Sequence, residues 1–196
     1  MTTFSNWNNG YTSWNYKKIN RANHTRYSAG ILPYTFDQTG KVLFLLGKDN
    51  EGDWSDFGGK CEIRDRNDPL NTASREFYEE TLGAVLSIHE CIDKININPK
   101  KIISKTLNGS PYYMYLLYID YTNYTDSFNK TGNFLKYQFE QKIHEKIIEK
   151  VSIRWVTMDT LINCIENRDY TTPIALRGVF YRTISDFKED LFYLQK

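Results

Sequence analysis

The sequence predicts an α/β sandwich in which a mixed β-sheet is flanked by helices. Runs rich in β-branched and aromatic residues alternate with helix signals along the chain, so both element types must share one core. Two pairs of those runs are joined by short turns and must be antiparallel, which excludes an all-parallel sheet. One well-capped helix carries an apolar arc opposite an acidic one, as expected of a helix lying on a sheet face.

Residues 1–25 are rich in Asn, Ser, Thr and Gly, with Trp7, Tyr11, Trp14 and Tyr16 at near-regular spacing. They read either as a flexible arm or as an extension packed onto the body, and residues 26–196 as a single domain including a C-terminal helix. Ser28 to Phe36 and Val42 to Gly47 are predicted strands separated by a turn at 37–40. A second turn at 49–52 leads into an extended piece from Trp54 to a glycine-bearing turn at Gly58 and Gly59. Asp68 caps, and Pro69 opens, a helix running to about Leu82, with Gly83 as its stop.

Val85 to Ile97 reads as a β-rich run. Asn108-Gly109 marks a hairpin between Ile102-Ile103 and Tyr112 to Tyr121. Polar residues 122–132 read as a loop, followed by a helix from about Phe134 to Lys150 with Leu135, Phe139, Ile143 and Ile147 as its core stripe. A strand from Val151 to Val156, a short helix from Asp159 to Glu166 and a last helix from Thr172-Pro173 to about Asp186 complete the expectation.

The bulk properties exclude several classes. With 40% hydrophobic and 25% charged residues the chain is globular rather than disordered. A net charge of +1 makes no case for wholesale nucleic-acid or membrane binding, so any such contact must come from local patches. No apolar run approaches the length of about 18 residues that a membrane span needs, and no signal segment opens the chain. Cys61, Cys91 and Cys164 are an odd set at no metal-ligand spacing, pointing to a reducing compartment. The expected location is cytoplasmic, with the nucleus open.

The chemistry concentrates in the predicted helix opened by Pro69. Glu76, Glu79 and Glu80 fall within about 100° of arc, since residues three and four apart are neighbours on a helix. Leu70, Ala73, Phe77 and Thr81 occupy the opposite arc. Three crowded carboxylates repel, and a divalent cation would offset that repulsion.

Residues 59–65, Gly-Lys-Cys-Glu-Ile-Arg-Asp, followed by Arg75-Glu-Phe-Tyr-Glu-Glu-Thr-Leu-Gly83, resemble the Nudix box. That box is conventionally a glycine, five residues, a glutamate, seven residues and then R-E-U-x-E-E-x-G-U, where U is bulky and apolar. Here Asp65 replaces the first glutamate, nine residues separate it from Arg75, and Leu82 adds one residue before the closing glycine. The resemblance implies a Nudix-like α/β/α sandwich and a pyrophosphohydrolase using Mg2+, with Mn2+ as substitute. It further implies Glu79 and Glu80 as principal metal ligands, Glu76 as ligand or base, the Gly58 carbonyl completing the site, and Arg75 orienting Glu79.

A further glutamate from the segment before the tryptophan strand serves as base or third-metal ligand in many Nudix enzymes. Glu140, Glu145 and Glu149 are the candidates, with Glu145 slightly favoured. Lys142, Lys146 and Lys150 form a parallel basic stripe. Together with Lys60, Lys100, Lys101 and Lys105, they could track a polyphosphate or an RNA backbone. Tyr112, Tyr113, Tyr115 and Tyr118 could pack, or in part stack a base. His24, His89 and His144 are too scattered for a metal site.

The expected partner is a phosphoanhydride small molecule or capped RNA, with no membrane and with a homodimer left open. An mRNA cap, dinucleoside polyphosphates and diphosphoinositol polyphosphates all present the scissile group. The segments Ser28 to Tyr34 and Trp54 to Lys60 look similar to Nudix proteins of eukaryotes and large DNA viruses. A non-catalytic Nudix-fold binding module is the reading from another class.

Overall fold

The computed structural model describes residues 26–140, 147–167 and 174–194. The aromatic segment 1–25, Ile143, His144 and Glu145 therefore lie outside the described residues.

The strands form one mixed sheet: β1 (Ser28–Phe36), β2 (Val42–Asp49), β3 (Trp54–Ser55), β4 (Phe57–Lys60), β5 (Lys101–Lys105), β6 (Pro111–Tyr118) and β7 (Lys150–Thr157). The helices are α1 (Pro69–Glu80), α2 (Ile88–Ile97), α3 (Tyr124–Gln138), α4 (Met158–Glu166), α5 (Gly178–Asp186) and α6 (Lys188–Phe192). The order β3-β2-β1-β6-β5 makes β1 central; β4 pairs its first half and β7 pairs β2. Among the strand pairs of the described residues only β1 with β6 is parallel, in register from Ser28 on Tyr112 to Tyr34 on Tyr118. β1 meets β2 and β4 antiparallel.

The period of two along each strand divides the core between the sheet's faces. Leu32, Val42, Phe44, Met114 and Leu116 face α4, α5 and α6, where Leu161, Phe180 and Leu191 pack. Ala29, Ile31, Leu45, Phe57 and Leu117 face α1, α2 and α3, meeting Ala73, Phe77, Cys91, Ile95 and Phe128. Phe57 and Phe77 cross edge to face at 5.3 Å and fix α1 against β4. Among the described residues no helix is long and apolar enough to cross a membrane.

Three element expectations are corrected. Ile88–Ile97 is a helix, because Ser87 and Glu90 form a reciprocal capping box and Cys91 and Ile95, one turn apart, are both buried. The first part of the helix expected at 134–150 belongs to one that begins ten residues earlier and ends at Gln138: Tyr124, Phe128, Gly132 and Leu135 form its inward stripe, Phe139 and Ile147 are exposed, and residues 141–146 lie outside the described residues. The polar residues between those anchors hid that stripe. The last long helix starts at Gly178, not at Pro173, because the Ala175 carbonyl and Arg177 N–H bond to Trp54 and hold 175–177 extended beside β3.

Gly58 and Gly59 also lie in a strand, not a turn, and neither has a positive φ. What they supply is space. A Cβ on Gly58 would lie 2.8 Å from the Tyr112 hydroxyl, and one on Gly59 would lie 2.5 Å from the Glu76 carboxylate. Phe77→Ala should lower stability by about 3–5 kcal/mol, the usual cost of emptying a buried aromatic site, measured as a fall in urea midpoint at unchanged m-value.

Candidate active site

Arg75, 6% exposed, projects from α1 into the loop that precedes the helix. Its Nε donates to Asp65 Oδ1 at 2.8 Å and its Nη2 to Asp65 Oδ2 at 2.9 Å, a fork-to-carboxylate pair. Nη2 also donates to the Lys60 carbonyl at 3.0 Å, and Nη1 to Glu79 at 2.9 Å. Glu76 lies 2.9 Å from the same Nη1. Burial lowers the guanidinium's proton affinity, but the Asp65, Glu76 and Glu79 carboxylates outweigh it and leave the group firmly charged.

Asp65 thus meets Arg75 across nine intervening residues rather than seven. The two extra residues are absorbed locally: Arg66 and Asn67 both take left-handed conformations, at φ 55° and 59°. Asp65 is further held by the Glu62 N–H and the Thr72 hydroxyl, each at 2.8 Å. Burial pushes its carboxyl up, yet the Arg75, Glu62 and Thr72 bonds together hold it below the usual range. At the other end of α1, Leu82 and Gly83 are both left-handed, at φ 55° and 65°, and the Gly83 N–H bonds back to the Tyr78 carbonyl.

The three helix glutamates differ in environment. Glu79, 41% exposed, is held by Arg75 and also by Arg64 at 2.9 Å. Glu76, 13% exposed, fills the space above Gly59. Glu80, 4% exposed, accepts from the Gly58 N–H at 2.8 Å and lies 3.5 Å from Lys150 Nζ. Burial pushes Glu76 up to about 7 against the pull of Arg75, with Glu79 and Glu149 adding to the rise. Burial likewise pushes Glu80 up to about 8 against Lys150, with Glu76, Asp56 and Glu149 adding to it.

Glu76, Glu79, Glu80 and Glu149 line one cavity of about 410 Å³, whose apolar wall is Tyr78, Leu82, Leu135 and Ile147. The chain therefore brings Glu149 to the acidic helix, while Glu140 lies exposed beyond α3. Across Gly58 and Gly59 lies a second cavity of about 280 Å³, lined by Lys60, Asn108, Arg177 and Phe180 together with Asp56 and Tyr112. The Tyr112 hydroxyl donates to Asp56, whose carboxyl burial pushes up to about 6.

Comparison with solved structures finds Nudix domains at low sequence identity. A Nudix hydrolase from M. smegmatis, RenU, is 12% identical over 86% of this chain and 88% of that one, with a TM-score of 0.48. The Nudix domain of Shewanella oneidensis NrtR, complexed with ADP ribose, is 12% identical over 84% and 87%, at 0.47. A C. elegans Ap4A hydrolase is 18% identical over 83% and 98%, at 0.44. No family model and no curated protein matches the chain.

Among the described residues the lysines do not form one track, and Lys142 and Lys146 lie outside those residues. Lys60 lines the second cavity and Lys105 ends β5 beside the hairpin that borders it. Lys100 and Lys101 line a separate groove with Phe187 and Tyr193. Lys150, read as part of an exposed basic stripe, is 1% exposed and bonded to Ser55 at 2.8 Å. Tyr112 and Tyr115 are buried, so they pack rather than offer a stacking face. Asp56, Ser55 and Arg64 were given no role from the sequence, and Lys150 only one in a basic stripe; the polar pair set between Trp54 and Phe57 is the one signal that could have found two of them.

The donor set suits a hard divalent ion: carboxylate oxygens, with Glu76 and Glu80 raised because burial outweighs their cationic partners. Among the described residues, however, no three acidic, His or Cys side chains converge as a ligand cluster. Arg75, Arg64, Lys150 and the Gly58 N–H instead engage their oxygens.

Asp65→Asn should lower stability by about 3 kcal/mol or more, since it leaves a buried guanidinium short of its counter-charge, and Asp65→Glu should recover part of it in urea titrations. Because Glu76 and Glu80 titrate above an unfolded carboxyl, they stabilise the fold fully at acidic pH. That contribution disappears as pH rises through about 7 and about 8. Without divalent ions the urea midpoint should therefore fall between pH 5.5 and 8.5, and magnesium should flatten the fall.

Proposed function

We propose that the protein is a magnesium-dependent, Nudix-type pyrophosphohydrolase that cleaves the diphosphate linkage of a nucleoside diphosphate joined to a second group. The observation that carries this is that Glu76, Glu79, Glu80 and Glu149 line one cavity, two of them with proton affinities near neutrality. Glu79 and Glu80 would hold the ion, with the Gly58 main chain beside Glu80 and Glu76 as ligand or base. The ion, when bound, neutralises the diphosphate oxygens and acidifies a water.

The chain's own groups do the rest. Arg75 orients Glu79 and Glu76 through one nitrogen. Glu149, exposed and facing the helix glutamates across the cavity, serves as general base, a role that needs a carboxylate free to take a proton. Glu145 stays an alternative for that role. The second cavity, with Lys60 and Arg177 at its wall, takes the remainder of the substrate. An mRNA cap is the leading specific substrate, favoured by separate lysine-bearing surfaces at Lys60, Lys100, Lys101 and Lys105. Dinucleoside and diphosphoinositol polyphosphates satisfy the same chemistry. The protein would act in the cytoplasm or nucleus.

A second reading, a Nudix-fold binding module without turnover, is favoured by one observation: Glu79 and Glu80 already have cationic partners. A magnesium-dependent hydrolysis screen over capped RNA, dinucleoside polyphosphates, nucleotide sugars, nucleoside triphosphates and diphosphoinositols separates the two. Glu79→Gln and Glu80→Gln should each lower kcat by about 100-fold or more, and Glu149→Gln by about 100- to 10,000-fold. Equal rates in wild type and all three variants would remove the metal assignment, and no turnover of any substrate would select the binding module.

A further inference from the structure

Lys150 opens β7 and is buried, and the chain makes several provisions for it. The β2–β7 ladder slips by one residue there, so that Lys48 faces Ser152 but Asp49 faces Lys150, and a bulge of this kind re-aims the neighbouring side chain. Its aliphatic stem crosses Gly47, where a Cβ would come within 3.0 Å of the lysine Cγ and Cδ and 2.8 Å of the Phe57 ring. The Ser55 hydroxyl accepts from Nζ at 2.8 Å and donates onward to the Asp56 carbonyl at 2.7 Å. Nζ then ends 3.5 Å from Glu80 Oε1, while the other oxygen of that carboxylate accepts from Gly58. A buried ammonium is costly unless paired, and Glu80 is the carboxylate it reaches.

We propose that Lys150 is a positioning residue, a resident counter-cation that holds Glu80 against the Gly58 N–H in the metal-free protein and competes with a divalent ion for that carboxylate. Two cations sharing one carboxylate repel each other across a poorly screened interior. The lysine thus fixes the ligand in place and sets how tightly the ion binds. Glu76, Asp56 and Glu149 are the other acidic groups acting on Glu80, and all of them reinforce its need for a cation. The competition rests on the functional reading above; the pairing does not.

A double-mutant cycle without divalent ions tests the pairing. At pH 8.5, Lys150→Met should shift the unfolding equilibrium constant tenfold or more toward the unfolded state in wild type, but less than threefold in a Glu80→Gln background. Equal effects in both backgrounds would overturn it. Should Lys150→Met alone fail to fold, the double variant must fold; if it also fails, the lysine is needed for packing and the proposal is wrong.

Calorimetric titration with magnesium at the same pH tests the competition. Lys150→Met, or Lys150→Gln in its place, should bind magnesium at least threefold more tightly than wild type, and Lys150→Arg should bind like wild type. Equal or weaker binding in the neutral variants would overturn the competition. Absence of magnesium binding by wild type would sink the functional reading with it, while the metal-free cycle still decides the pairing.

Discussion

A single guanidinium joins the parts of this site that are far apart in sequence. Arg75 is anchored on α1, yet its fork spans the Asp65 carboxylate in the preceding loop, the Lys60 carbonyl at the end of β4, and Glu79 one turn along its own helix. Because the fork is planar and charged at any accessible pH, satisfying all of its donors fixes the helix against the strand in rotation as well as in distance. The acidic face of α1 points at the cavity for this reason, and not through helix packing alone.

The carboxylates are arranged around a shortage of positive charge. Arg75 and Arg64 serve Glu79, the most exposed of the three, while Glu76 and Glu80 sit deeper, where burial favours their neutral forms. Gly58 and Gly59 permit this depth from opposite sides of one strand: the first leaves room for Tyr112 and the second for Glu76. A strand two residues wide in the relevant region thereby separates an acidic cavity from one with Lys60 and Arg177 at its wall.

The hairpins, the capped α1 and the mixed sheet were legible because each has a local physical signature: turn residues between alternating runs, Asp68-Pro69 at a helix start, apolar spacing on one arc. α2 was missed although Ser87 and Glu90 announce it, because β-branched Ile residues dominated the window. α3 was displaced because Tyr124 and Phe128 are set among residues of weak helix propensity, so packing rather than propensity decides it. At the site, the three glutamates and their shared face followed from helix geometry alone. Lys150 did not: its burial depends on a bulge, a glycine on the neighbouring strand and a serine 95 residues away, none of which has a sequence period.

The loop between Asp65 and Asp68 shows what is held constant in such a site. Arg66 and Asn67 coil back in the left-handed region, at a cost of about 1 kcal/mol or more for the arginine and less for the asparagine, and so two additional residues leave the carboxylate within reach of its guanidinium. Separation along the chain is then a free variable and separation in space is not. A pattern written as a count of intervening residues describes one solution to this constraint, whereas a pair of oxygens facing a guanidinium fork describes all of them.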